Sequence, residues 1–153
     1  LARLLVALGR RRPRVAVASL NPHAGEGGLL GREEIERIDP GVAAARARLA
    51  RDAVPATLIG PIGAETAMRR ANAGDFDGVV AMYHDQATIP SKLVAFGEAV
   101  NVTLGLPIIR TSVDHGTGYD VAWRGTADAG GMTAAIALGA KLARSRRPPI
   151  TTD

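Results

Sequence analysis

Cysteine is absent from these 153 residues. That excludes disulfides and thiolate metal sites and fits a reducing compartment. Aromatic side chains make up only 3% of the chain, so its core has to be assembled from Ala, Val, Leu and Ile. Lysine is nearly missing: Lys92 and Lys141 stand against 17 arginines. No apolar run approaches the roughly 20 residues of a membrane span. Leu1 to Leu8 reads as a helix face, with no small-residue cleavage site after it. The expectation from these absences is a cytoplasmic globular protein that does not engage a membrane.

The net charge is +4, with arginine clusters at Arg10-Arg11-Arg12-Arg14 and Arg144-Arg146-Arg147. Nucleic-acid recognition would need stacking or groove-entering side chains within such a face. Phe76, Phe96 and Trp123 do not interleave with the clusters, which read instead as solvated helix ends. No nucleic-acid partner is expected.

Hydrophobic residues reach 46%, enough for a packed domain. The pattern predicts a helix over Leu1–Leu8 and a buried strand over Arg14–Leu20. A glycine-rich loop, Asn21–Gly28, follows. A helix is expected over Glu33–Arg51, interrupted by Pro40 after Ile38. Next come a strand over Ala56–Ile59 closed by Gly60-Pro61, a helix over Glu65–Ala71, and strands over Gly78–Tyr83, Val100–Leu104 and Ile108–Val113. The last helix is expected over Thr126–Arg144, loosened by Gly130, Gly131 and Gly139. Continuously apolar strands alternating with helices favour an α/β fold with a largely parallel sheet covered on both faces. There is no internal repeat and no linker. The reading is one domain over residues 1–147 with a frayed tail over 148–153.

The stretch from Val79 to Thr117 holds the most chemistry. His84, Asp85 and Gln86 follow one apolar run, and Asp114, His115 and Gly116 follow another, which is where open α/β sheets place ligand sites. His23 lies in NPHAGEGG. Each histidine is either a metal ligand or a satisfied structural residue, and all three are expected in loops. Asp85 and Asp114 could each hold an imidazole tautomer, join a metal, or cap a turn. Lys92 suits an anion-binding point charge or a proton-transfer group. Arg110 follows two isoleucines, so a partly buried guanidinium with an anionic partner is expected. Asn101 alone reads as a strand-edge residue, and Glu26 as a ligand or a turn residue. His115–Asp120 either lets backbone N–H groups approach a phosphate or ribose, or is a plain glycine-rich connection. The fingerprint GxGxxG is absent.

Taken together, SLNPHAGEGG, GREEI, AMYHDQ and VNVTLGLPIIRTSVDHGT resemble the C-terminal half of the 4-hydroxythreonine-4-phosphate dehydrogenase family of pyridoxal phosphate biosynthesis. The resemblance implies a three-layer α/β/α fold of the isocitrate/isopropylmalate dehydrogenase type, present here in part. It implies NAD or NADP, and a divalent metal such as Zn, Mg or Co held by His23 and His84. The reaction implied is oxidation of the secondary alcohol of 4-phosphohydroxy-L-threonine, followed by decarboxylation. His84, Asp85 and Lys92 would be catalytic. Lys92, Asn101 and Arg110 would hold the small phosphorylated hydroxy acid. His115, Gly116, Thr117 and Asp120 would meet the cofactor. Family members are homodimers with sites built from both subunits. The family's N-terminal half, with a His-Thr pair and a third metal histidine, has no counterpart in these residues. Trp123 stands where relatives of its loop carry glycine. Sister enzymes acting on 4-phosphoerythronate, 4-phosphothreonate or a cyclohexadiene diol carboxylate share these loops. An inactive half-domain that keeps only a dimer or cofactor surface is the alternative of a different class.

Overall fold

The computed structural model describes residues 1–95 and 97–145. The expected tail over 148–153, together with Phe96, Arg146 and Arg147, lies outside them. The chain divides into two compact units, Leu1–Pro90 and the part from Ser91 onward.

The first unit is built on a three-stranded parallel sheet in the order β2-β1-β3, with β1 Arg14–Ala18, β2 Thr57–Ile62 and β3 Gly78–Val80. β1 lies in the middle, and Val15, Ala16, Val17 and Ala18 are all buried. Ala16 and Ala18, two apart and therefore on one face, form the core with Ala67 of helix α3 (Ala64–Asn72) and Phe76. The shortage of rings is met by small residues that let helix and strand approach closely. Helix α1 (Ala2–Ala7) sits over Gly78, where an added Cβ would meet the Leu1 and Leu5 side chains. Phe76 is covered by two guanidiniums, Arg14 at 5.6 Å and Arg70 at 4.7 Å from the ring centroid. Arg10 pairs with Asp77 at 3.2 Å. Part of the first arginine cluster is therefore structural.

Three expectations in this unit need correction. β2 does not close at Gly60-Pro61 but runs through it to Ile62, and the register slips between Ala16 and Ala18. A glycine is required at position 60, where φ is +127° and a Cβ would run into the Val17 carbonyl. β3 stops at Val80 instead of Tyr83, because the Met82 N–H donates to the Gln86 side chain at 2.8 Å rather than to a neighbouring strand. His84 does not lie in a loop: it opens helix α4 (His84–Ala95), which contains Pro90. The interruption at Pro40 is mild. A π-helical turn over Glu34–Ile38 passes into α2 (Asp39–Arg51), with Pro40 in the first turn, where a missing N–H costs little.

In the second unit β4 (Val100–Thr103) pairs antiparallel with β5 (Arg110–Val113). The connection of residues 104–109 is too short for the crossover that parallel neighbours need. These strands therefore add an antiparallel pair to an otherwise parallel α/β fold. Helix α5 (Gly130–Ser145) packs on β5. It begins later than expected, because the Asp128 carboxylate accepts the Gly130 N–H at 2.8 Å and caps the helix there. Its glycines do not loosen it. Gly131 and Gly139 face the strand: a Cβ at Gly139 would lie 2.9 Å from Thr111 Oγ1, and Gly131 rests against Val113.

Candidate active site

Parallel strands release their loops at a common edge, so the segments after β1, β2 and β3 all leave from one side of the first unit. They line a cleft of about 430 Å³, bounded by Leu20, Asn21, Pro22 and His23 after β1, Gly63 to Thr66 at the start of α3, and Tyr83 and Gln86 after β3. Gln86 ties two of these segments together. Its Nε2 donates to the Ser19 carbonyl at 2.8 Å, while its Oε1 accepts the Met82 N–H.

His23 reaches the cleft on an unusual backbone. From His23 through Gly27 every φ is positive: 51°, 55°, 78°, 45° and 67°. His23, Ala24 and Glu26 each cost about 1–2 kcal/mol in this left-handed region, so something must hold them there. Next to the loop lies Glu34, only 3% exposed. Its Oε1 accepts the N–H groups of Leu20 (2.8 Å) and Asn21 (2.9 Å), and its Oε2 accepts the Asn21 side-chain amide at 2.8 Å. Burial raises the pKa of this carboxyl and is the largest single influence. Hydrogen bonds from the Asn21 backbone and side chain, its own N–H and the Leu20 N–H together outweigh it, and the net shift is downward. Exposed Glu33 is also lowered, chiefly by its hydrogen bond from the Asn21 side chain. Glu34 escaped sequence reasoning. GREEI offers three acidic residues within four positions, counting Glu36, and only the fold shows which one turns inward. Gln86 was visible as the last letter of YHDQ, but nothing in the sequence marked it as a tie between strands.

His84 is 80% exposed in its side chain, and its Nδ1 meets Asp85 Oδ1 at 2.7 Å. A carboxylate can only accept, so Nδ1 carries a proton, and in the neutral ring Nε2 is the acceptor. This is the carboxylate–imidazole pairing that suits a metal ligand. Asp85 thus takes the tautomer-holding option. His115 is fixed differently: its Nδ1 faces the Gly116 carbonyl at 2.9 Å rather than Asp114, which again leaves Nε2 as the acceptor. Among the described residues no three His, Asp or Glu side chains gather as a metal shell. His23 and His84 have the chemistry for a divalent ion, but a complete shell needs donors beyond those described.

The hairpin of the second unit sorts its residues by pleat. Asn101 and Thr103 share one face of β4. The register sets Asn101 opposite Ser112 and Thr103 opposite Arg110. These four polar residues therefore lie on one face. On the other, Thr111 donates to the Ala135 carbonyl of α5 at 2.9 Å. Two of the expected substrate residues, Asn101 and Arg110, are thus brought to a common surface. Arg110 is exposed rather than partly buried, with Nη1 donating to Thr103 Oγ1 at 3.2 Å. The face carrying it points away from α5, so the two isoleucines before it do not draw it inside. Lys92 is exposed on α4. In the loop after β5, a Cβ at Gly116 would meet open space, Gly118 has φ +64°, and fully exposed Trp123 has φ +62°, a conformation glycine adopts more readily.

The family model described as pyridoxal phosphate biosynthetic protein PdxA matches residues 1–139. The chain is 58% identical over 128 residues to a 4-hydroxythreonine-4-phosphate dehydrogenase of Desulfosudis oleivorans, covering 84% of this chain and 36% of that protein. It is 51% identical over 139 residues to a D-threonate 4-phosphate dehydrogenase of Cupriavidus necator, covering 90% and 40%. The crystal structure of 4-hydroxythreonine-4-phosphate dehydrogenase from Klebsiella pneumoniae superposes with a TM-score of 0.76 at 47% identity, covering 93% of this chain and 42% of that one. The chain thus spans about two fifths of the length of the proteins it matches.

Proposed function

The chain belongs to the family of the pyridoxal phosphate biosynthetic protein PdxA, and on that premise we propose that it supplies part of the site of a metal-dependent, NAD(P)-linked dehydrogenase. The substrate is 4-phosphohydroxy-L-threonine. Its secondary alcohol is oxidised, and the resulting β-keto acid loses CO₂. The observation that carries this reading is the shared polar face of Asn101 and Arg110. A planar guanidinium on the same face as an amide, diagonal to it in the register, matches a phosphate or carboxylate of a small acid. Lys92 adds a second cation for the same anionic substrate and is the candidate for proton transfer from the hydroxyl.

A divalent cation would supply Lewis-acid stabilisation of negative charge developing on the substrate oxygen. NAD(P) would supply the hydride acceptor, with His115, Gly116, Thr117 and Asp120 as its contacts. His23 and the His84–Asp85 pair are the metal-binding groups of this chain, and their Nε2 or open ring edge needs further donors. A second copy of the chain fits that need. Ile89, Leu93 and Val94 on α4 are exposed apolar residues that a homodimer would cover. No helix among the described residues is long and apolar enough to cross a membrane.

Arg110→Met tests the substrate assignment. KM for the phosphorylated hydroxy acid should rise about 10- to 100-fold, as the loss of a charge-assisted pair predicts, with KM for NAD⁺ unchanged. An unaltered substrate KM would remove Arg110 from the site. D-threonate 4-phosphate is the second substrate to compare, since a relative named for it matches about as well as the others.

A further inference from the structure

We propose that Glu34 is the positioning residue of the His23 loop: its buried carboxylate holds the start of the loop so that a left-handed backbone presents His23 to the cleft. The inference deepens the proposed function and rests on it for what His23 binds.

Three observations converge on Glu34. Its two oxygens accept the Leu20 and Asn21 N–H groups and the Asn21 amide, all within 2.9 Å. The left-handed turn closes directly over the carboxylate, since a Cβ at Gly25 would lie 2.8 Å from Glu34 Oε2 and 2.8 Å from the Gly31 carbonyl. Gly31 in turn packs against the Asn21 side chain, leaving no room for a Cβ. Residues 20 to 31 therefore wrap around a hub made of Glu34 and Asn21. Among the described residues its hydrogen-bond partners are N–H groups only. Glu34 does not touch the cleft, which is lined by Leu20 to His23. It acts through the two residues it grips, and the strained segment starts two positions further on. Leu20 and Asn21 close one end of the turn, and the Leu30 N–H bond to the Gly25 carbonyl at 3.0 Å closes the other. Glu34 hydrogen-bonds the first end and packs against the second at Gly25.

A glutamine at position 34 keeps the size and one acceptor oxygen, but sets an NH₂ against the Asn21 amide. Side-chain ¹H–¹⁵N spectra of the full chain read the outcome directly, because it has three histidines. In Glu34→Gln the His23 ring signals should shift or broaden while those of His84 and His115 stay in place. Amide exchange at Leu20 and Asn21 should speed up at least tenfold. Val42→Ala, a buried change in α2, is the control: it lowers stability but leaves the His23 signals unmoved. Titration with Co²⁺ alone should show a 10- to 100-fold loss of affinity in Glu34→Gln, the usual effect of disturbing the groups behind a ligand. If Glu34→Gln does not fold, Asn21→Ala removes only the side-chain leg of the hub and should give a smaller shift of the same His23 signals. His23 signals that overlay on the parent in the folded variant would overturn the proposal. Should Co²⁺ fail to bind the parent chain, the spectra still decide the positioning role.

Discussion

Glu34 illustrates how a single buried charge is kept ionised by geometry alone. Its pKa is lowered in the folded chain, so the stability it contributes is fully present above the unfolded carboxyl value of about 4.3 and is lost as pH falls through the lower folded value. Urea unfolding should therefore show the parent losing more stability between pH 6 and pH 3 than Glu34→Gln does; parallel losses would contradict the assignment. Glu34→Ala strands three donors and should cost about 2–4 kcal/mol at neutral pH. The exposed Asp75, lowered mainly by its hydrogen bond from Arg70, should contribute far less. At this scale the sequence was half legible. NPHAGE and YHDQ announced His23 and His84 because unusual residues stand at strand ends. The tautomers of His84 and His115, and the hub at Glu34, depend on which neighbour the fold brings within 3 Å, and no spacing rule reports that.

Elements were easier to read than their ends. β1 was legible as a continuous apolar run, and its central place in the sheet follows from its burial on both faces. The antiparallel pairing of β4 and β5 could have been inferred from their short connection. The glycines of α5 were misread because propensity treats glycine in a helix as weakness, whereas here it permits contact. Two substitutions separate these meanings. Gly139→Ala drives a methyl into Thr111 and should destabilise by about 1–3 kcal/mol, with most of that cost relieved in a Thr111→Ala background. Gly41→Ala in α2, where a Cβ meets nothing within 4 Å, should stabilise by about 0.5–1 kcal/mol. Thermal or urea unfolding of the four variants checks both signs. Equal effects at the two glycines would mean that packing against Thr111 does not matter.

For the whole molecule, the expectation of one domain over residues 1–147 predicts a single cooperative unfolding transition, and two separated transitions would assign independent stability to the two units. The exposed apolar residues of α4 predict self-association: sedimentation should find a dimer, and Leu93→Glu should shift it toward monomer, whereas an unchanged parent monomer would remove the second copy from the account. The central claim is that the His84–Asp85 pair serves a metal-dependent dehydrogenation. Its most direct test is NAD⁺ reduction by the full-length protein, loaded with divalent metal and supplied with 4-phosphohydroxy-L-threonine. NADH should form with the parent and fall by at least a hundredfold in His84→Ala, with the fold intact by circular dichroism; full turnover in that variant would contradict the claim.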